Sequence, residues 1–355
     1  MSFRLNLGKA RSSKPRVAPS NRAVAGPSPG WVARPSKPHF EVSLCLAVGA
    51  SLVAIAAIGC DDPLTLPQRI ERTRVLAARV EVSAEPTNAW PAPGQDAVIR
   101  WLVVDPDPSI GFTWDLRACV AGAAPVGLPS CVSAPFASVR SEAATGSLPS
   151  LSLTAPPITA GREGDEVIFV LGVICARGVP SADAGGCVGT EADGDRVALS
   201  IPLGGTEKNT NPSLDDDTIT LGESDWLQPA VAAGDGCAAN AGSSALPLVH
   251  AGQKRTIELA LRGPDRERID TQEPSLGSQG AWETLQVAYF STGGTLDRPY
   301  SYVESDAPVE GQRVSAAWSA PGSVPEAGVL VRFYVVVRDL RGGSDWAQRD
   351  VCVVP

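Results

Sequence analysis

Histidine is nearly missing from this 355-residue chain: His39 and His250 are the only two. Methionine occurs once, as Met1, and aromatic residues make up 5%. There is no H-E-x-x-H zinc helix, no G-x-x-x-x-G-K-[ST] loop and no G-x-G-x-x-G turn. After Cys60 there is also no G-x-S-x-G nucleophile motif, which leaves His250 as the one histidine a serine hydrolase could use there. His250 lies in an expected surface turn, with neither nucleophile nor acid beside it in sequence. No C-x-x-C pair is present, so a zinc site has neither thiolates nor imidazoles at ligand spacing. These absences argue against an enzyme with a resident cofactor.

Basic charge is scarce too, and it is uneven. Residues 1–59 hold eight Lys/Arg and one acid, Glu41, so 22 of the chain's 30 Lys/Arg and 38 of its 39 Asp/Glu follow them. From Cys60 onward the net charge is near −16. Phosphate backbones and anionic lipid heads would be repelled, so neither nucleic acid nor a lipid surface is an expected partner for this part.

The basic leader runs into an uncharged 18-residue stretch, 42–59, which ends Ala57-Ile58-Gly59-Cys60. A positive n-region before an apolar run is the pattern of an export signal. A small residue directly before a cysteine at its end resembles the lipobox of bacterial lipoproteins. That resemblance implies cleavage before Cys60, lipid such as palmitate on its sulfur and amine, and a cell-envelope location facing the periplasm or the surface. Asp61 and Asp62 resemble a retention signal of some lineages, so both membranes stay open. An uncleaved N-terminal anchor is the alternative, and it exports the same body.

Six further cysteines follow: Cys119, Cys131, Cys175, Cys187, Cys237 and Cys352. An even count in an exported chain is expected to form disulfides. Cys119/Cys131 and Cys175/Cys187 each sit twelve residues apart across Gly/Pro/Ala-rich segments, and Cys237 with Cys352 would tie the start of a second domain to its last strand.

The chain repeats itself. Gly94-Gln95, Ile99 and Pro106-Asp107 recur at an offset of 158 as Gly252-Gln253, Ile257 and Pro264-Asp265; Ala155-Pro156 recurs as Ala320-Pro321. Strands are expected at 74–82, 97–104, 111–118, 148–154 and 195–202, and again at 254–262, 284–291, 299–303 and 312–319. Val329, Val331, Phe333, Val335 and Val337 alternate with Leu330, Arg332, Tyr334 and Val336. That period of two marks a central strand, followed by an Arg341-Gly342-Gly343 turn and a return strand from Trp346. Val167, Phe169, Leu171, Val173 and Cys175 play the same part in the first copy. No segment carries a helical stripe, and 31 Pro with 35 Gly count against helices. About seven short strands per copy predict an all-β chain of two tandem immunoglobulin-like sandwiches. Trp101, Trp114, Trp282 and Trp318 are expected to fill cores.

The openings Arg74-Val75-Leu76-Ala77, Glu85-Pro86 and Pro93-Gly94, with the closing Val335-Val336-Val337-Arg338-Asp339 and Gly342-Gly343-Ser344-Asp345-Trp346, resemble Ig-like and PKD-like repeats of bacterial envelope lipoproteins. The expected organisation is a leader and signal segment at 1–59, a lipid-anchored tether at 60–71, a first sandwich at 72–203, a linker at 204–220 and a second sandwich at 221–355. Asp215, Asp216 and Asp217 in the linker are weak calcium candidates, beside the reading that they keep it solvated; Glu191, Asp193 and Asp195 form a second acidic turn, and Asp105 and Asp107 are read as loop acids. No other cofactor is expected. The expected role is a non-enzymatic spacer or adhesin-like module that presents loops 120–132, 176–194 and 264–283 to another envelope protein or a glycan. The alternative is a carbohydrate-binding or accessory subunit of an envelope enzyme or secretion complex.

Overall fold

The computed structural model describes residues 66–122, 130–131, 134–157, 167–183, 185–189, 191–203, 208–214, 219–228, 237–243, 245–269 and 281–355. All of them belong to one compact unit, Leu64–Pro355. The expectations about the leader, the apolar run, Cys60 and Asp215–Asp217 lie outside the described residues. Apart from two short 3₁₀ turns, at Cys237–Asn240 and Gly263–Asp265, the described regular structure is strand. No helix among the described residues is long and apolar enough to cross a membrane.

Among the described residues ten strands make up the first half, eight in the two sheets of a sandwich and two, β8 and β9, in a separate ribbon: β1 (Arg74–Val82), β2 (Asp96–Val104), β3 (Phe112–Gly122), β4 (Ser130–Cys131), β5 (Ala137–Thr145), β6 (Ser150–Thr154), β7 (Val167–Ala176), β8 (Val179–Pro180), β9 (Cys187–Val188) and β10 (Asp193–Pro202). One sheet has the order β1-β2-β6; the other runs β10-β7-β3-β4, with β5 also paired to β3. The chain passes from β2 to β3 and from β5 back to β6 across the two sheets, the Greek-key path of an Ig-like sandwich. Ala97, Ile99, Trp101 and Val103 alternate along β2 and face Leu116, Ile168, Val170 and Ile174 in one core.

The second sandwich repeats that path with β11 (Ile219–Leu221), β12 (Ser224–Asp225), β13 (Leu248–His250), β14 (Lys254–Leu261), β15 (Arg268–Ile269), β16 (Ala281–Trp282), β17 (Leu285–Ser291), β18 (Thr295–Leu296), β19 (Tyr300–Val303), β20 (Gln312–Ser319), β21 (Val329–Arg338) and β22 (Ser344–Val354). Its sheets are β12-β11-β14-β20-β18 and β13-β22-β21-β17-β19, and β13 joins β22 in parallel. Val331, Phe333, Val335 and Val337 point into its core. There the Phe333 ring sits edge-on between Trp226 and Trp318, with centroids 5.0 and 4.9 Å away. Trp101, Trp114 and Trp318 are buried, whereas Trp282 is half-buried.

The sequence repeat is a repeat of hydrogen bonds. Gly94 and Gly252 both take a left-handed φ, 79° and 72°, which a side chain would strain. The Gln95 and Gln253 side-chain carbonyls accept from Ala92 N and His250 N at 2.8 and 3.2 Å. Their backbone carbonyls accept from Ala155 N and Ala320 N. The recurrent Gly-Gln and Ala-Pro pairs therefore meet in space, each closing one end of its sandwich.

Candidate functional site at the joint between the sandwiches

The two sandwiches share a third apolar core. Ile70, Leu76, Ala77, Leu102 and Val104 of the first pack on Ala288, Phe290, Tyr334 and Val336 of the second, with Trp346 at the margin. Strand β2 shows how this arises. Its first half alternates, and its second half, Trp101-Leu102-Val103-Val104, is buried on both faces because the second sandwich covers the outer one. β21 does the same along Tyr334 to Val337.

β1 is an edge strand, and unpaired edge groups must be satisfied or covered. The carbonyls of Leu76, Ala78 and Val80 accept from Arg338, from Ser344 Oγ (2.6 Å) and from Asn211 Nδ2 (2.7 Å). The amides of Thr73 and Val75 donate to Asp193 and Asp195, both at 3.1 Å. This corrects the reading of Asp193 and Asp195 as a solvated turn: they open strand β10 and clamp the edge of β1. The described part of the linker packs into the joint. Asn209 and Asn211 are buried, and Asn211 Oδ1 accepts from Ser344 N at 3.0 Å. Arg79 pairs with Asp345 at 2.5 Å, and Asp345 also accepts from Leu214 N at 2.8 Å.

Arg341, in the turn between β21 and β22, forms a charged node. Its guanidinium donates to Glu283 at 2.9 Å and Glu267 at 3.3 Å, and lies 4.6 Å over the Trp90 ring of the first sandwich. Trp90 Nε1 returns a bond to Arg341 O at 3.0 Å. Asp339 holds the turn by accepting from Arg341 N, Gly343 N and Asn209 Nδ2. A side chain at Gly343 would overlap that carboxylate. Burial pushes the Glu283 carboxyl up to about 7, against the hydrogen bond from Glu267 N and the Arg341 pair. Burial also raises Asp339, more than its hydrogen bonds lower it.

Beside the shared core, the β2–β3 loop overhangs the outer face of β21 and β22 and encloses a groove of about 550 Å³. Asp107, Ser109 and Phe112 line one wall, and Arg332, Tyr334 and Gln348 the other. The loop is held by Asp105, buried under a bidentate bond from Arg177 (3.0 and 3.2 Å), with Thr73 Oγ1 at 2.6 Å and Asp107 N at 2.9 Å. Asp105 is therefore a buried anchor of this loop and not a solvated acid. Asp107 accepts from the Ser109 hydroxyl (2.7 Å) and amide (2.9 Å), which lower its carboxyl below the usual range. Arg332 is 7% exposed and stands across from Asp350, whose Oδ1 accepts from Gln348 Nε2 at 3.2 Å. Burial raises the Asp350 carboxyl, and its Oδ2 is buried without a hydrogen-bond partner among the described residues. Burial likewise pushes the Tyr334 phenol up to about 12.

Disulfides join Cys119 to Cys131, Cys175 to Cys187 and Cys237 to Cys352. Of the expected contact loops, 120–132 is described only at its ends, where the first bridge closes it. Loop 176–194 is held by the second bridge, by the ribbon of β8 and β9, and by Arg140, which donates to Pro180 O and Ser181 O. In loop 264–283 the described part is a strap: the buried Arg266 donates to the carbonyls of Glu283, Ala307, Pro308 and Glu304. His250 sits in β13, exposed, with Nδ1 2.8 Å from Pro355 O. Among the described residues no three His, Cys, Asp or Glu side chains group to hold a metal ion.

Sequence reasoning missed the groove and the node. Arg332 and Arg341 read as strand and turn residues, and Trp226 went unread. One signal was available, namely a charged Arg332 in the middle of a strand whose other residues are apolar or aromatic up to its last, Arg338.

No family model and no curated protein matches the chain. Among solved structures it is similar to an I-band fragment from titin, at 11% identity over 79% of this chain, with a TM-score of 0.17. The chain spans 66% of that fragment's own length. At that score the likeness carries no weight, and the Ig-like assignment rests on the strand order and connections described above.

Proposed function

We propose that this chain is a non-enzymatic envelope lipoprotein, anchored through lipid on Cys60, whose paired sandwiches act as a stiff spacer that holds an interaction surface away from the membrane. The observation that carries this reading is the joint. A shared apolar core and side-chain donors on the edge of β1 join two sandwiches that a bare linker would leave to move independently. Three disulfides agree with an oxidising compartment. Partners would be another envelope protein or a glycan, met at the loops or along an edge strand. Metabolic labelling with palmitate, comparing wild type with Cys60→Ala, tests the anchor. Label and membrane recovery are expected for wild type alone. A full-length, unlabelled wild type would replace the lipoprotein reading with an uncleaved apolar anchor.

A second reading, a carbohydrate-binding accessory subunit, draws on one observation. Tyr300 and Tyr302 stand 40% and 47% exposed on one face of edge strand β19, and Gln286 donates to the Tyr302 hydroxyl at 2.8 Å. Sugar rings stack on such side chains.

A further inference from the structure

We propose that the groove between the β2–β3 loop and the outer face of β21 and β22 is a binding site for a neutral saccharide, gripped by Asp107, Ser109, Arg332 and Gln348 and flanked by Phe112 and Tyr334. The inference deepens the interaction-module reading by naming a ligand class, and it does not depend on the lipid anchor.

Three features point to this ligand. The first is place and size. Ligand sites favour domain junctions and volumes of roughly 300–1,000 Å³, and this groove, about 550 Å³, is bounded by both sandwiches. The second is the balance of donors and acceptors. Arg332 and the Gln348 amide nitrogen donate, and the Asp107 carboxylate, the Gln348 amide oxygen and the Ser109 hydroxyl oxygen, whose proton goes to Asp107, accept. Asp105 is paired with Arg177, and of the other charged lining residues Asp107 is acidic and Arg332 basic, so the groove is neither all anionic nor all cationic. A phosphate would meet the Asp107 carboxylate, and a wholly apolar guest would strand polar groups at a cost. A pyranose matches both demands, with hydroxyls around its rim and C–H groups toward the apolar lining of Pro108, Ile110 and Leu148. The third is pre-organisation. The Asp105–Arg177 pair fixes the loop, Ser109 orients Asp107, and Arg332 is held in the sheet between flanking strands, so little order remains to be created on binding.

The test uses the full chain in detergent on immobilised glucose, galactose, mannose and N-acetylglucosamine oligomers. Asp107→Ala and Gln348→Ala each remove a polar contact. Leu148→Trp, at a 38% exposed position on the groove rim, fills the space without removing any polar group. Tyr300→Ala/Tyr302→Ala removes the edge platform instead. Expected is saccharide binding by wild type and by Cys60→Ala, weakened at least tenfold in each groove variant, with the melting temperature unchanged in Leu148→Trp, and intact in the tyrosine variant. Absence of binding by wild type overturns the proposal. So does binding that survives all three groove variants, or that is lost only with the tyrosines. A failed palmitate label leaves this result untouched, so the two readings fail separately.

Discussion

Glu283 is 1% exposed, and its environment opposes its charge. Burial is the largest influence; the Glu267 and Asp339 carboxylates add repulsion, while Arg341 and the Glu267 amide favour ionisation, and Arg266 stands nearby. A carboxyl pushed up from 4.5 to about 7 binds its proton more tightly folded than unfolded. The stability this lends is fully present below the unfolded value and is lost as pH rises through 7. Between pH 5 and pH 8 the loss is about 2–3 kcal/mol. Urea unfolding of wild type and Glu283→Gln at both pH values measures it, and the variant should gain that amount on wild type at pH 8. A gap that stays constant with pH would remove Glu283 as its source. The acids at this scale were only half legible. Asp193, Asp195 and Asp105 were visible as acids near glycine and proline, but their partners Thr73, Val75 and Arg177 are 72 to 120 residues away.

At the scale of elements, periodicity and turn chemistry were readable. β1 and β20 fall on their expected spans, and β2, β14, β17 and β21 within a residue or two. β5 was missed because Ala-Ser-Val-Arg-Ser-Glu-Ala-Ala-Thr is small, charged and largely exposed, with too little apolar contrast to show a period of two. The disulfides differ in the chain they close. Two span 12 residues and one spans 115. Restricting the unfolded chain makes a bridge worth more as its loop lengthens, ~3 kcal/mol for the short loops and ~5 for the long one. Cys237→Ala/Cys352→Ala should therefore lose about 2 kcal/mol more than Cys119→Ala/Cys131→Ala in equilibrium unfolding. Equal losses would mean that residual structure in the unfolded state, not loop length, sets their value.

For the whole molecule, the joint makes one cooperative body of two domains that each own an inner core. Val336 belongs to the shared core and is fully buried, yet its neighbours Val335 and Val337 alone face the inner core of the second sandwich. Val336→Lys places an unpaired charge at the interface and leaves that inner core intact. Calorimetry of wild type should show one transition. The variant should show two, with a larger radius of gyration in solution scattering. A variant that melts in one transition at the wild-type temperature would show that the sandwiches are not coupled through this core.

Sequence pattern was enough for the all-β class, for the duplicated sandwich with its Gly-Gln and Ala-Pro closures, and for an even set of cysteines suited to disulfides. The strands are written in a spacing of two, the duplication in an offset of 158 residues, and the cysteines in an even count. Packing of the two sandwiches brings the second faces of β2 and β21 together, buries Asn209 and Asn211 as donors, and sets Arg332 and Gln348 in a groove with Asp107. Those partners lie more than 100 residues apart. An apolar outer face reads the same whether it meets solvent, a neighbouring domain or another chain, so its partner is settled by docking and not by any local pattern.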